Sequence, residues 1–404
     1  MGVGWRRITF TIATVLLPIL GGCGSSRVAS SNLSGKPAVS IPSTSSSSST
    51  QATSPSTTTC SAVVDIGHWS DERLASQMLA ISSEMGALTQ IKGAFRGGVG
   101  GVVLVGKASL AASALKAELG KMESLSPDGI FPLVMADEEG GGIQVLSSLV
   151  GSMPWPRVMA QTISLASVEA LTYKIGTAMR SLGVTMDLAP VVDLDAGPGP
   201  SETNPDGNRS FSANPRIATQ YAKAFEAGLE KAGVVPVLKH FPGLGGASGN
   251  TDFMAANTLP FSSLVQSGLI PFEKLAPSAN VVMVSNASIP GLTNGVPSSM
   301  SSKAIGILRK VIGFNGVIIT DSLETVSISS YQPDLSKAVV AAARAGADMV
   351  MLASSNPNEL PVFLSARSAL VQAMASGTLS RSNVEASVVR ILSLKGVSPG
   401  CIYY

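Results

Sequence analysis

The sequence carries little charge for its size. Of its 404 residues only 13% are charged, and the formal net charge is +2. A nucleic-acid-binding protein needs a concentrated basic face, which this composition does not supply. We therefore expect no nucleic-acid partner. The hydrophobic residues, by contrast, make up 45% of the chain, which is enough for a well-buried core.

Large apolar side chains are almost absent between Gly24 and Thr59. Ser, Thr, Ala and Pro dominate this stretch, which includes the run Ser45–Ser49. Such a segment cannot bury enough surface to offset the entropy lost on ordering. Residues 23–59 are therefore predicted to form a disordered tether, and their Ser, Thr and Pro content is also typical of O-glycosylated stalks.

The N-terminus has an apolar run, but that run is too short to span a membrane comfortably. Arg6-Arg7 precede it, and it extends from Ile8 to Leu20, which is the pattern of an export signal. The run ends in Gly21-Gly22-Cys23, which resembles a bacterial lipobox. We expect residues 1–22 to be a signal peptide and Cys23 to carry lipid, anchoring the exported protein at the outer face of the bacterial cell membrane. An uncleaved signal anchor, or a secretory peptide with a chance cysteine, is the alternative.

Short apolar, β-branched segments recur along residues 60–404, and each is followed by a segment with helical periodicity. This alternation is typical of βα units around a parallel sheet. The helical segments 168–182, 218–232 and 335–345 carry the expected end signals, with Ser167 or Asp334 before a helix and Gly233 or Gly346 after one. Eight such units favour a single (β/α)8 TIM barrel over a doubly wound sheet, although the first strand is weak. The candidate strands are Met78–Ser82, Gly100–Val105, Pro132–Ala136, Thr185–Ala189, Val234–Lys239, Asn280–Ser285, Gly316–Thr320 and Asp348–Leu352.

Cysteine is scarce, and its positions are informative. The chain has three, and with Cys23 assigned to lipid the other two, Cys60 and Cys401, stand at the ends of the predicted barrel. In an oxidising exported compartment a pair is more often bridged than free, and barrels bring their termini together. We expect a Cys60–Cys401 disulfide, with two unpaired thiols as the alternative.

Several candidate strands end in polar residues that a core would not select. Asp137 follows one strand, Lys239-His240 ends a second, and Asp321 ends a third. Each alone could be a solvated loop residue or a helix cap. In a barrel, however, the carboxyl ends of the strands meet at one mouth, so these three would converge. Burial of Asp321 is costly unless it is paired, and a cation such as Lys239 would keep it ionised for use as a nucleophile.

Motifs along residues 74–395 resemble those of glycoside hydrolase family 3, in particular its bacterial single-barrel β-N-acetylglucosaminidases, which act on cell-wall fragments. Each motif is weak alone, but the set in this order is specific. The motifs are Asp137-Glu138-Glu139-Gly140-Gly141, Leu188-Ala189-Pro190-Val191-Val192-Asp193, Gly207-Asn208-Arg209-Ser210-Phe211, Lys239-His240-Phe241-Pro242-Gly243, Val317-Ile318-Ile319-Thr320-Asp321 and Ala345-Gly346-Ala347-Asp348.

The resemblance implies a role for each matching residue. Asp321 falls on the position of the nucleophile, which forms a covalent glycosyl-enzyme that water hydrolyses with net retention. Asp137, Arg209, Lys239 and His240 fall on positions that hold the hydroxyl groups of the sugar, a task that suits paired carboxylates and cations. The family uses no metal and no organic cofactor, so none is expected here.

The chain departs from the family where the proton donor is expected. The usual Asp-Ser-His triplet is replaced by Asn250-Thr251-Asp252, and the chain has only two histidines, His68 and His240. An Asp can act as a general acid if desolvation or a second carboxylate raises its pKa. We therefore expect Asp252, or else Glu138, to donate the proton. Two further departures are Gly142 and Val145 in place of family arginines, and Asn286 in place of a frequent histidine.

These observations leave two functions open. The first is a retaining, exo-acting β-N-acetylglucosaminidase-like hydrolase of cell-wall-derived glycosides, with a weakened or altered general acid. The second is a catalytically degenerate lipoprotein that binds amino-sugar or peptidoglycan fragments. Both take a β-linked amino sugar as ligand, and we expect a monomer in both cases.

Overall fold

A computed structural model describes residues 64–354 and 359–397. The predicted signal peptide, the tether and the cysteines at positions 23, 60 and 401 lie outside the described residues. Within them, no helix combines the length and the apolar character needed to cross a bilayer.

The described residues alternate between short strands and helices. The strands are β1 (Leu79–Glu84), β2 (Gly101–Val105), β3 (Leu133–Ala136), β4 (Glu138–Gly140), β5 (Ile143–Gln144), β6 (Met186–Asp187), β7 (Val235–Pro236), β8 (Leu238–Phe241), β9 (Val281–Val284), β10 (Val317–Thr320) and β11 (Val350–Leu352). The α-helices are α1 (Asp71–Gln77), α2 (Lys92–Arg96), α3 (Ala112–Glu123), α4 (Ser147–Val150), α5 (Pro156–Thr162), α6 (Leu165–Leu182), α7 (Pro215–Lys231), α8 (Phe261–Gln266), α9 (Leu269–Leu275), α10 (Ser302–Gly306), α11 (Val326–Tyr331), α12 (Leu335–Ala345), α13 (Glu359–Ala375) and α14 (Arg381–Leu394).

The strands of the two larger sheets pair in parallel. One sheet has the order β11-β1-β2-β3-β6-β7 and a second has the order β10-β9-β8. Isolated parallel bridges link residues next to the sheet edges, with Val191 pairing with Lys239 and Ile319 with Met349. The expected α/β fold with parallel sheets and helices is confirmed.

Each candidate strand overlaps an observed strand, but two details differ from the prediction. The segment 234–239 contributes to two short strands, since β7 pairs with β6 in one sheet and β8 pairs with β9 in the other, and Val237 between them donates its N–H to Ala189 O. An antiparallel hairpin of β4 and β5 follows β3 and was not predicted.

Helix ends follow the local signals closely. Asp334 caps α12 by accepting a hydrogen bond from the Lys337 N–H, and Gly346 ends that helix with φ 110°. The predicted cap Ser167 is wrong by one turn. Ser164 caps α6 instead, because its hydroxyl oxygen accepts a hydrogen bond from the Ser167 N–H.

Apolar residues cover both faces of the strands. In β2, Val102 and Leu104 pack in the larger apolar cluster with helix residues such as Phe225, whereas Val103 lies in a smaller cluster with Met283. Successive strand residues point to opposite faces, so one strand contributes to both clusters. Residues of the smaller cluster also form the floor of a pocket at the carboxyl ends of the strands.

Candidate active site

A pocket of about 730 Å³ opens where the carboxyl ends of the parallel strands meet. Apolar residues Val103, Leu188, Met283 and Met351 contribute to its lining. The structure brings together the whole set of sugar-handling residues expected from the sequence, since the polar lining includes Asp137, Arg209, Lys239, His240, Asp252 and Asp321. A pocket of this size lies in the range of small-ligand sites, roughly 300–1,000 Å³.

Lys239 is the centre of a buried ion network. Its Nζ lies 2.7 Å from Asp137 Oδ1 and 2.6 Å from Glu139 Oε1. Arg209 Nε and Nη2 each donate a hydrogen bond of 2.8 Å to the carboxylate of the same Glu139. Fork-to-fork pairing of this kind holds both partners in one orientation. The network is therefore rigid and overall neutral, with two cations and two carboxylates.

The network keeps its members ionised. Burial alone would raise the pKa of Glu139, but the charges of Arg209 and Lys239 outweigh it and lower the pKa to about 2. Burial alone would lower the pKa of Lys239, yet the Asp137 and Glu139 carboxylates raise it above its usual value. The Lys239 side chain is only 3% exposed, so a neutral amine would be the expected form without these partners.

Glu139 is a site residue to which sequence reasoning assigned no role. Asp137 directly precedes β4 and Glu139 lies in it; both contact Lys239 and line the pocket, whereas Glu138 does not line it. The period-two alternation of a strand predicts this division and was the available signal. Asp137 retains exposure of 32%, so it can reach a ligand directly.

The position of Glu138 does not support the expectation that it donates the proton. Its carboxylate accepts hydrogen bonds from the Leu146 N–H and from Gln144 Nε2, and it is fully buried outside the pocket lining. Burial raises its pKa to about 7. These contacts lie in the β4–β5 hairpin region, and the Glu138 carboxyl group is not among the groups that line the pocket.

His240 is held by Asp193, a second residue that sequence reasoning left without a role. Asp193 Oδ2 lies 2.6 Å from His240 Nδ1 and also accepts the His240 backbone N–H at 3.0 Å. Arg209 Nη2 lies 3.4 Å from His240 Nε2. A guanidinium can only donate, so His240 Nε2 is the acceptor of the contact with Arg209. The ring proton is then on Nδ1, which donates a hydrogen bond to Asp193.

This arrangement bears on metal binding. Asp193, Asp206 and His240 each place a potential ligand atom within 4.8 Å of the others. Both imidazole nitrogens of His240 are already engaged, which argues against this trio as a metal centre. Burial, followed by the charge of Asp193, raises the pKa of Asp206 well above its usual range.

Asp321 stands directly after β10 and is half-buried in the pocket wall. Its backbone N–H donates to Val284 O at 2.9 Å, and its Oδ1 accepts the Ser322 N–H at 2.7 Å. The expected pairing with Lys239 is not what the structure shows, because Lys239 binds Asp137 and Glu139. Among the ion pairs of the described residues, none includes Asp321.

Asn286, where the family resemblance led us to expect a histidine, supports the loop after Asp321. Its Nδ2 donates to Ser322 O at 2.5 Å and to Thr325 Oγ1 at 3.2 Å, and its Oδ1 accepts from Ser299 Oγ at 2.7 Å. It is fully buried and does not line the pocket. Its position therefore suits a structural role in holding Asp321 in place.

Asp252 lies on a turn organised by Asn250. The Asn250 Oδ1 accepts the Asp252 N–H at 3.0 Å, and the Asn250 carbonyl accepts the N–H groups of Phe253 and Met254. Desolvation by the surrounding protein, and then the charge of Asp321, raise the pKa of Asp252, although part of the residue remains exposed to the pocket. Asp252 and Asp321 are thus electrostatically linked across one cavity.

Comparison with known proteins agrees with this geometry. The model of the glycosyl hydrolase family 3 N terminal domain matches residues 74–394. Beta-hexosaminidase LpqI of Mycobacterium tuberculosis is 39% identical over 287 residues, which cover 69% of this chain and 72% of that protein.

Comparison with solved structures points to the same family. A glycosyl hydrolase of family 3 from Mycobacterium smegmatis matches with a TM-score of 0.74 at 33% identity, covering 82% of this chain and 99% of that one. A beta-N-acetylhexosaminidase from Beutenbergia cavernae matches with a TM-score of 0.74 at 26% identity, covering 81% and 99%. With a family match that spans most of the described residues and includes every motif noted in the sequence, this chain belongs to glycoside hydrolase family 3 and is a glycoside hydrolase.

Proposed function

We propose that this protein is a retaining, exo-acting β-N-acetylglucosaminidase that acts on cell-wall-derived glycosides. The observation that carries the proposal is the placement of Asp252 and Asp321 in one pocket, with the pKa of Asp252 raised by desolvation and by Asp321. Two carboxyl groups whose environments differ in this way can divide the roles of acid and nucleophile.

In the first step the Asp321 carboxylate attacks the anomeric carbon and forms an ester bond to the sugar. The bond between that carbon and the glycosidic oxygen breaks, and the leaving oxygen takes the proton of Asp252. In the second step Asp252, now a carboxylate, removes a proton from water, whose oxygen attacks the same carbon. The ester bond to Asp321 breaks, and two inversions give net retention.

The ion network orients the sugar for this attack. Asp137 can accept hydrogen bonds from hydroxyl groups, and Lys239, Arg209 and His240 border the same space. Since the network members already hold one another, binding a sugar does not require them to reorganise. This rigidity supports catalysis over simple binding.

Replacing Asp252 by Asn tests the acid role. For a β-1,4-linked N-acetylglucosamine disaccharide, whose leaving oxygen needs a proton, we expect kcat/KM to fall by about 10²–10⁴-fold. For a 2,4-dinitrophenyl N-acetylglucosaminide, whose leaving group needs none, the first chemical step should be almost unchanged when it is measured as the pre-steady-state burst.

The pH profile provides a second readout of the same role. The acid is active only while it is protonated. Wild-type kcat/KM for the disaccharide should therefore be high below the raised pKa of Asp252 and should fall as the pH rises through that pKa. The Asn variant should lack this alkaline limb. An unchanged limb in the variant would assign the proton to another group.

We also propose the surrounding architecture that the sequence suggests. The bridges from Val191 to Lys239 and from Ile319 to Met349 support a closed (β/α)8 barrel, because they link the two sheets on both sides. A relative named as a secreted glycosyl hydrolase, 28% identical over 275 residues, supports export. The Cys60–Cys401 disulfide and the monomeric state stay predictions.

Lipid anchoring at Cys23 is tested by metabolic labelling in a bacterial host. We expect incorporation of radioactive palmitate into the full chain and its loss in the Cys23→Ala variant, with the protein moving from the membrane to the soluble fraction. Cys60→Ala, which leaves the proposed lipobox intact, is the matched control and should label normally. Equal labelling of the Cys23→Ala variant would contradict the anchor.

A further inference from the structure

Phe253 is an exposed aromatic side chain at the pocket. It is 54% exposed and contributes to the pocket lining. It is one of twelve exposed large hydrophobic side chains among the described residues, with exposures from 36% to 72%, and it alone of the twelve borders this cavity. Exposure of one apolar side chain is ordinary, but the position of Phe253 in the pocket lining presents its ring to the space that a ligand would occupy.

Hydrogen bonds hold the turn that carries Phe253 at two points. Its N–H donates to the Asn250 carbonyl at 3.1 Å, and the Asn250 N–H donates to Glu202 O at 2.9 Å. On the other side the Thr251 carbonyl accepts the Ser327 N–H at 3.0 Å. The backbone at Phe253 is thus tied both to the 201–205 loop and to the start of α11, so it presents its ring at a defined place.

The position of the ring relative to the reacting bond follows from the proposed function, on which this inference rests. Asp252 must reach the glycosidic oxygen, which joins the sugar attacked by Asp321 to the leaving group. The residue next to the proton donor, Phe253, then lies beside the leaving group. Ser201 and Glu202, which line the same pocket and contact the turn through Asn250, add polar groups there.

We propose that Phe253 forms a leaving-group subsite that binds a second pyranose ring by stacking against its C–H face. Ser201 and Glu202 provide hydrogen-bond partners for the hydroxyl groups of that ring. The preferred substrate class is therefore a saccharide of at least two rings, in preference to a single sugar on a small aglycone. An aromatic face recognises a ring by dispersion and polarised C–H contacts, which need no charge on the ligand.

Binding measurements test the subsite without relying on turnover. In the Asp321→Asn background, we would compare N-acetylglucosamine with its β-1,4-linked disaccharide by isothermal titration calorimetry. Replacing Phe253 by Ala should weaken the affinity for the disaccharide by about tenfold, a typical value for loss of one aromatic contact. It should change the affinity for the monosaccharide by less than about twofold. Phe253→Tyr, which retains the ring, should bind both as the parent does.

Phe131, which is 49% exposed and lies outside the pocket, provides a matched control, and Phe131→Ala should leave both affinities unchanged. An equal loss of affinity for both sugars in Phe253→Ala, or no loss of affinity for the disaccharide, would overturn the proposed subsite. Failure of the wild-type protein to hydrolyse any N-acetylglucosaminide would count against the proposed function alone, because the affinity comparison does not depend on hydrolysis.

Discussion

Replacement of Asp321 by Asn is expected to reduce hydrolysis of an aryl β-N-acetylglucosaminide by at least ~10⁴-fold, as loss of a covalent nucleophile does in other hydrolases. The amide has nearly the same size but cannot form the glycosyl ester. Asp321 follows β10, and its Oδ1 accepts one hydrogen bond, from the N–H of the next residue, Ser322. An amide oxygen can accept the same bond, so the fold should tolerate the change. Rates measured with the aryl substrate, whose leaving group needs no proton, isolate the nucleophile from the acid.

The covalent step can be observed directly. A 5-fluoro N-acetylglucosaminyl fluoride, which slows hydrolysis of the intermediate, should add one sugar mass to the wild-type peptide that contains Asp321. The Asn variant should show no adduct. Asp128→Asn removes a carboxylate that is 64% exposed and should retain full activity as the control. An adduct on another carboxylate, or an active Asn variant, would remove Asp321 from the mechanism.

Replacement of Glu139 by Gln is expected to lower the free energy of unfolding at pH 7 by about 3 kcal/mol, in the range reported when one partner of a buried ion pair is removed. The shift of its pKa to about 2 from a usual value near ~4.3 independently corresponds to about 3 kcal/mol. The variant removes the ion-pair partner of Arg209 and leaves Lys239 paired with Asp137 alone. Affinity for N-acetylglucosamine should fall with stability, because these residues border the sugar site.

Glu138→Gln is the matched control, since it alters the adjacent residue on the other face of β4. With its pKa at about 7, Glu138 is already largely uncharged at pH 6, so at that pH the change should cost only about 1 kcal/mol and should spare sugar affinity. Urea unfolding at pH 6, monitored by tryptophan fluorescence, measures both variants, because the Glu139 contribution is as large at pH 6 as at pH 7. An equal loss of stability for the two would refute the importance of the Glu139 charge.

The pH dependence of the Glu139 contribution has a definite sign. Its pKa is depressed in the folded state, so the stability that it provides is present above its unfolded pKa and is lost as the pH falls through the range from about 4.3 to 2. The difference in unfolding free energy between wild type and Glu139→Gln should therefore shrink as the pH is lowered from 5 to 3. A constant difference would show that packing, and not charge, accounts for the loss.

Much of the architecture could be predicted because it depends on local signals. The segments that become β9 and β10 are apolar except for the terminal Thr320, and every residue in them is buried, as is typical of strands covered on both faces. Asp334 and Gly346 bound α12 because a cap depends on groups within one turn. The division of 234–241 into β7 and β8 was not predictable, since the bond from Val237 to Ala189 depends on a distant segment.

The polar residues named from the sequence do line one pocket, but Glu139 and Asp193 were missed and the contacts among the residues were not predicted. The family resemblance identified Asp137, Arg209 and Lys239, yet it suggested no partner for each cation. The structure pairs Arg209 with Glu139 across 70 positions and Lys239 with Asp137 across 102. Glu138 and Glu139 are identical in type and adjacent, and only the direction of their side chains separates a structural residue from a pocket residue.

The sequence by itself determined the α/β alternation, the family and the set of polar residues that end the strands, because strand pattern, helix caps and motif order are written in consecutive residues. Only the tertiary structure decided that Lys239 neutralises Glu139 and Asp137 instead of Asp321, and that Asp252 shares a cavity with Asp321. Charge pairing and pKa depend on distances of a few ångströms between groups far apart in the chain, and those distances exist only after folding.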